Sequence, residues 1–181
     1  MEENGYTPLM VAIEQENVSI VKLLLELPKV DVNKGPTTPL YLACSVGNSK
    51  IVSLLLQRED VDVNLGNEWR NPLYVSCSAE KLDIMQLLVE HPKIDVNKGQ
   101  GYWGALYVAV QLELTDIVKC ILSHHEVKMS TKNACLVHAC RKQNISLALA
   151  LIESGASLTP AEAQQHEEFS QLLSSHIAAY R

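Results

Sequence analysis

The stretch Thr38–Leu56, TPLYLACSVGNSKIVSLLL, followed shortly by Asp62-Val63-Asn64, decides how this chain folds. Thr38 before Pro39 reads as a helix start. The threonine oxygen can accept from the unpaired N–H groups of a first turn, and proline suits the first helical position. Gly47-Asn48 breaks that short helix, and Ser49 is placed to cap a second one. In the second helix Ile51, Val52, Leu54, Leu55 and Leu56 cover more than half the circumference. A stripe that wide cannot be hidden against one partner. A helix of about eight residues is also below the ~12–15 residues at which isolated helices become marginal in water. The pair therefore needs neighbours on both sides.

Repetition supplies them. The leucine of the Thr-Pro-Leu unit recurs at Leu9, Leu40, Leu73, Leu106 and Leu136, at spacings of 31, 33, 33 and 30 residues. Behind each comes an apolar second segment: Ile20–Leu25, Ile51–Leu56, Ile84–Val89, Ile117–Leu122 and Leu147–Ile152. An alternating ending closes the first three copies at Val30–Asn33, Val61–Asn64 and Ile94–Asn97, with a worn version at His125–Lys128. Self-similarity at this period marks a stacked array in which no unit buries its apolar face alone.

The repeat resembles the ankyrin family, whose pattern runs T-P-L-H, A-A, G-H, V-V-x-L-L-L and V-N. Here it reads Gly5–Ile13 GYTPLMVAI, Thr38–Cys44 TPLYLAC, Asn71–Cys77 NPLYVSC and Gly104–Val110 GALYVAV. The resemblance implies an all-α solenoid of five helix-turn-helix repeats with short β-hairpin fingers and a C-terminal capping helix. One domain would span residues 1–181, with repeats near 4–34, 35–65, 66–98, 99–129 and 130–158 and a cap over 159–181. The family's T-P-L-H histidine is replaced by Met10, Tyr41, Tyr74, Tyr107 and Val137. Its hydrogen bonds therefore do not carry over, and a ladder of tyrosines filling the same row is expected instead.

A chain of 181 residues suits one domain with ample length for a core. Its apolar share is 47%, mostly aliphatic, with one phenylalanine, which fits thin layers of Leu, Val, Ile and Ala. Net charge is −6, so no general basic field draws in nucleic acid or anionic lipid. No apolar run approaches a membrane span, and membrane insertion is not expected. Of the five cysteines, Cys44, Cys77 and Cys140 share one helix position, too far apart to pair if the layers stack. Buried free thiols in a reducing, intracellular and cytoplasmic setting are the better reading.

The first helix opens with Leu9, Met10, Val11 and Ile13 and no capping unit before it. Terminal repeats usually need a polar outer face, so a monomeric segment of a longer chain, or something that covers the first repeat, is expected. Leu27-Pro28 and His91-Pro92 read as sharp helix stops. Repeats four and five lack the cap, with Gly104-Ala105 and Ala134-Cys135 in place of Thr-Pro, at a cost of about 1 kcal/mol each. The C-terminal half should be softer unless the tail compensates. That tail opens with Thr159-Pro160-Ala161-Glu162, a good helix start, and continues with Phe169, Leu172, Leu173, His176 and Ile177. Phe169, Leu172 and Leu173 should lie over repeat five, leaving Glu167, Glu168 and Gln171 wet.

Candidate chemistry is sparse. Cys120, His124, His125, Cys135, His138 and Cys140 carry ligand-type side chains, but their repeat positions point Cys120 and Cys140 into the core, and no metal is expected. No nucleophile elbow, phosphate loop or zinc-protease motif occurs, so neither catalysis nor a cofactor is expected. Asp31, Asp62 and Asp95 read as solvated loop acids, and His91 and His166 as surface residues. Asn33, Asn64 and Asn97 match the asparagine hydroxylated inside cells in this family, a match that only restates the repeat.

Function in such an array resides at its variable positions. The resemblance places these at Tyr6, Thr37, Arg70, Trp103 and Asn133 on the fingers. On the first helices they are Glu14, Gln15, Ser45, Val46, Ser78, Ala79, Gln111, Leu112, Arg141 and Lys142. Trp69 and Tyr102 stand where the family has its turn glycine. With Arg70 and Trp103 they concentrate residue types enriched in binding hot spots. The expected function is a non-catalytic scaffold that binds another protein on its concave finger and helix surface. The other readings are a structural spacer within a longer array and, behind it, small-molecule or metal binding around repeat five.

Overall fold

The computed structural model describes residues 5–99 and 104–179, without the side chains of Ser170 and residues 177–179. Tyr102 and Trp103, both expected at the binding surface, lie outside the described residues. The described residues form five antiparallel helix pairs followed by a two-helix tail. The pairs are α1 (Pro8–Glu14) with α2 (Val18–Leu25), α3 (Pro39–Val46) with α4 (Ser49–Leu56), and α5 (Pro72–Ser78) with α6 (Leu82–Val89). They continue with α7 (Ala105–Gln111) and α8 (Thr115–Leu122), then α9 (Met129–Arg141) and α10 (Ile145–Glu153). The tail is α11 (Pro160–Gln165) and α12 (Glu167–Ala179).

Each first helix packs on the next in the order α1, α3, α5, α7, α9, and each second helix does the same through α2, α4, α6, α8 and α10. One continuous apolar core runs along the stack, and Leu9, Leu40, Leu73, Leu106 and Leu136 are buried in it in register. The core is the sum of thin layers, none of which closes alone.

Local chemistry sets the helix ends. Thr7, Thr38 and Asn71 accept the N–H of the residue three along, at 3.3, 3.0 and 2.9 Å, whereas α7 and α9 have no side-chain cap. Ser49 is not the cap of α4: Asn48 is, through Oδ1 and Ile51 N–H at 3.2 Å, as Asn17 and Asn144 are in their layers. The longer asparagine reaches an N–H that a serine one residue later, already inside the helix, cannot. The prolines are not what stops α2 and α6 either. Leu27, Arg58, His91 and His124 N–H groups all turn back to the third preceding carbonyl at 3.1 Å, with or without a following proline.

The residue seven beyond each layer's leucine is left-handed throughout: Glu16 (φ 50°), Gly47 (86°), Glu80 (56°), Glu113 (60°) and Gln143 (54°). Only Gly47 escapes the roughly 1–2 kcal/mol that an L side chain costs there. Two of the strained residues gain a cross-layer bond, Asn48 Nδ2 donating to Glu16 Oε2 and Asn144 Nδ2 to Glu113 Oε2, each at 3.0 Å.

The fingers differ from expectation. Among the described residues there is no strand; the connections are turns and bends rather than β-hairpins. Repeat five has no finger: α9 begins at Met129 and runs helically through Asn133, where the finger tip was expected. Lys132, at the turn-glycine position, is buried and donates from Nζ to Ser154 O at 3.0 Å, capping the end of α10. That bond, together with the absence of Gly or Pro between Val127 and Ala134, favours a helix over a turn.

The tail covers the last layer. Thr159 and Glu162 form a complete capping box at the start of α11, and α12 packs against α10. Phe169 and Leu173 are buried, but Leu172 is 43% exposed. Residues four apart share a helix face and their neighbour does not, so Leu172 points away from the stack. Glu167, Glu168 and Gln171 are exposed.

Candidate functional site

Along one edge the layers are stitched by the asparagines of the V-N endings. Asn33 Nδ2 donates to Asp60 O at 2.7 Å while its Oδ1 accepts from Asp62 N–H at 2.8 Å. Asn64 repeats this with Lys93 O (2.7 Å) and Asp95 N–H (2.8 Å), and Asn97 with Glu126 O and Lys128 N–H (2.9 Å each). Asp31, Asp62 and Asp95 are exposed, yet they are not idle loop acids. Each carboxylate takes the N–H of the asparagine two residues on, at 2.9 Å, and so fixes the side chain that bridges to the next layer. This edge positions the fingers.

The finger before α5 is the best-defined candidate element. Gly66 sits at φ 130°, where a Cβ would lie 1.8 Å from Arg70 O, so only glycine allows the loop to close. Because Gly66 makes the turn, Trp69 does not have to occupy a positive-φ position. Asn67 Oδ1 accepts from both Trp69 and Arg70 N–H, at 3.2 and 2.8 Å, and the buried Asn71 Nδ2 donates back to Asn67 O and Glu68 O at 3.0 Å. The loop is thus ordered from within and presents Trp69 (48% exposed) and an exposed Arg70.

The helix positions expected at the surface behave as a row. Glu14, Ser45, Ser78, Gln111 and Arg141 occupy one register position and are all exposed. The preceding position, Ile13, Cys44, Cys77, Val110 and Cys140, is buried in every layer. Tyr6 O–H donates to Glu14 Oε1 at 2.6 Å, joining a finger residue to a helix residue and raising the tyrosine pKa. Thr37 is half-buried beside the Thr38 cap. Asn133 lies on α9 instead of a finger, and its Oδ1 accepts from Ser157 N–H at 3.0 Å.

A cavity of about 500 Å³ opens where the stack meets the tail, lined by Asn97, Tyr107, Lys128, Thr131, Val137, His138, Arg141 and Glu162 among others. Its wall joins the helical start of α9, where a finger was expected, to Glu162 on α11. Tyr107 O–H and His138 Nδ1 are 3.3 Å apart, with ring centroids 5.2 Å apart, so the tyrosine row ends on a histidine. His138 Nε2 is sheltered and has no partner among the described residues. Burial and then the cationic Lys142 and Arg141 push its pKa down, favouring neutral imidazole. Residue-by-residue reading of the sequence missed this cavity, since Lys128, His138 and Glu162 come from three separate elements.

The cysteines are free, and all but the half-buried Cys120 are buried. Desolvation pushes Cys44, Cys77 and Cys135 up to about 12, so they are weak nucleophiles at neutral pH. Cys77 Sγ lies 3.4 Å from Ala105 O, a contact across layers. Among the described residues no group of three or more His, Cys, Asp or Glu is placed to hold a metal ion. His124 and His125 stack on each other with centroids 4.9 Å apart. His91 and His166 are not plain surface residues: His91 is half-buried with Nδ1 accepting from Lys93 N–H at 3.2 Å, and His166 Nε2 is sheltered without a partner among the described residues. No described helix is long and apolar enough to cross a membrane.

The sequence matches two family profiles, "Ankyrin repeat" over residues 4–35 and "Ankyrin repeats (3 copies)" over residues 28–100. No curated protein matches it. Among solved structures it is similar to EF0377, an ankyrin repeat protein, at 25% identity and a TM-score of 0.75, covering 92% of this chain and 96% of that one. It is also similar in fold to the ankyrin repeat domain of Bcl-3, a member of the IkappaB protein family, at 23% identity and a TM-score of 0.72, covering 86% of this chain and 74% of that one. Ankyrin repeats generally mediate protein–protein interaction and are typically non-enzymatic. Repeat period, layered helix pairs and profile matches agree: this chain belongs to the ankyrin repeat family.

Proposed function

We propose that this protein is a non-catalytic scaffold that binds a loop or helix of another protein on the surface formed by its fingers and first helices. One observation carries the reading. The exposed register position varies along the stack, from Glu14 through Ser45, Ser78 and Gln111 to Arg141, while the buried position before it stays uncharged and mostly apolar. A surface that existed only to hold the stack together would not need four residue types in one five-layer row, running from an acid to a base. Tyr6, Thr37, Trp69, Arg70, Gln111 and Arg141 are the described contact residues, with Asn133 beside them on α9. Tyr102 and Trp103 follow from the sequence pattern. Trp69 and Arg70 are of the types that dominate interface energetics, on a loop ordered before any partner arrives. The repeat boundaries near 34, 65, 98, 129 and 158 belong to the same proposal, as does a cytoplasmic setting.

The test is capture from cells with the wild type, a Trp69→Ala/Trp103→Ala variant and a Lys50→Ala/Lys119→Ala control on the second helices. A partner held by wild type and control, and lost or weakened about tenfold or more by the double tryptophan variant, is the expected result. The variant must keep the wild-type circular dichroism and melting temperature. Equal capture by all three forms overturns this surface and favours the spacer reading.

A further inference from the structure

The cavity between α7, α9 and α11 has the chemistry of a binding site for one carboxylate. Its wall carries two cations, Lys128 and Arg141, neither with a carboxylate within 4.0 Å among the described residues. The one acid in the wall, Glu162, is already used: its Oε2 accepts from Thr159 N–H at 2.8 Å and from Thr159 Oγ1 at 2.7 Å. The wall therefore keeps a net charge of one positive, with a guanidinium whose planar fork matches a carboxylate. The hydroxyls of Ser130 and Thr131 and the uncapped first turn of the 13-residue α9 add donors on the same side. Ala134, Val137 and the Tyr107 ring supply an apolar floor. At about 500 Å³ the space fits a small organic molecule and far exceeds a trapped ion.

We propose that this cavity binds a carboxylate carried on a short apolar body, with Arg141 and Lys128 holding the anion and Tyr107 and Val137 packing the body. The carboxylate can be a free small acid or an acidic side chain of a bound protein; the recognition chemistry is the same. The cavity shares Arg141 with the surface proposed above, but Trp69 is not in its wall, so loss of capture by the tryptophan variant and loss of carboxylate binding by Lys128→Gln are separate outcomes.

The experiment is an NMR titration of the full chain, following the Thr131 amide, the Val137 methyls and the Tyr107 and His138 ring protons. Three probes are used: 3-phenylpropionate, its neutral amide, and a capped glutamyl-leucine dipeptide. Saturable shifts confined to these residues, with a Kd of about 5 mM or tighter for the acid and at least about tenfold weaker binding of the amide, are expected. Arg141→Gln and Lys128→Gln should each weaken the acid about fivefold or more, while Lys50→Gln on α4 changes nothing. Both cavity substitutions are at exposed side chains, and unchanged amide spectra elsewhere confirm that the fold is kept. If the dipeptide binds at least as tightly as the acid, the natural source is a protein side chain; if only the free acid binds, it is a small metabolite. Absence of saturation by every probe, equal binding of acid and amide, or full binding by Arg141→Gln overturns the proposal.

Discussion

The two ends of the stack solve the same problem differently. In the first layer Ile20 on α2 is 46% exposed, and Val11, Leu23 and Leu27 are also open to solvent; the equivalent of Ile20 one layer on, Ile51, is 0% exposed. In the last layer Leu147, the same register position, is fully buried, as this position is in every layer that packs on one before it, and α12 packs on α10 and buries Phe169 and Leu173. Identical helix chemistry is thus half wet or wholly dry according to whether another element lies against it. Stability in this array is a property of contacts between layers, with little held within any one of them.

The comparison can be broken most forcefully at its buried member. Ile51→Ala should cost about 3–4 kcal/mol, read as a fall in the denaturation midpoint at unchanged slope. A cost below ~1 kcal/mol would mean that the layers do not support one another as described. At the covered end, Phe169→Ala should cost about 2–3 kcal/mol, since the ring is large but belongs to a terminal element. Amide exchange should show the loss concentrated in α10 and α12.

The tail also depends on its start. Thr159→Ala removes the hydroxyl of the capping box and should cost about 1 kcal/mol, with faster exchange through α11. The Thr159 backbone N–H, and then its hydroxyl, hold Glu162's carboxyl below its ordinary value of 4.5. A carboxyl depressed in the folded state stabilises the fold fully above its unfolded value and loses that contribution as pH falls through the folded one. The stability difference between wild type and Glu162→Gln should therefore be constant from neutral pH down to about 5 and fade below 4. A difference that grows on acidification would contradict the capping role. The smallest effect belongs to the bare end: Ile20→Ala should stay within about 0.5 kcal/mol of wild type in thermal melts. A loss comparable to Ile51→Ala would show that Ile20 is covered in solution.

The layered architecture was legible because repetition gives each position five readings. Leu9, Leu40, Leu73, Leu106 and Leu136 fixed the phase, and the core followed from it. What failed to transfer was what the repeat does not repeat. Asn133 seemed a finger residue by phase, but Lys132 finds the Ser154 carbonyl and the segment stays helical. Leu172 looked apolar enough to bury, yet a helix presents only one of two adjacent residues to a flat neighbour. The V-D-V-N motif was visible, but not its purpose: a cross-layer bridge joins residues about 29–31 apart, which no local reading connects. The cavity at the tail was hidden for the same reason. Trp69 and Arg70 were singled out by their places in the repeat and their residue types, and the structure adds the loop that carries them.

Those bridges offer the most direct check on the claim that layers are joined edge to edge. The amide protons of Asp62, Asp95 and Lys128 are each held by an asparagine of the preceding layer. Hydrogen exchange on wild type and Asn64→Ala decides the matter. All three amides should be protected in the wild type, and the substitution should release Asp95 alone while Asp62 and Lys128 stay slow. Exchange of all three at the rate of an unstructured chain in the wild type, or no change at Asp95 in the variant, would contradict the account.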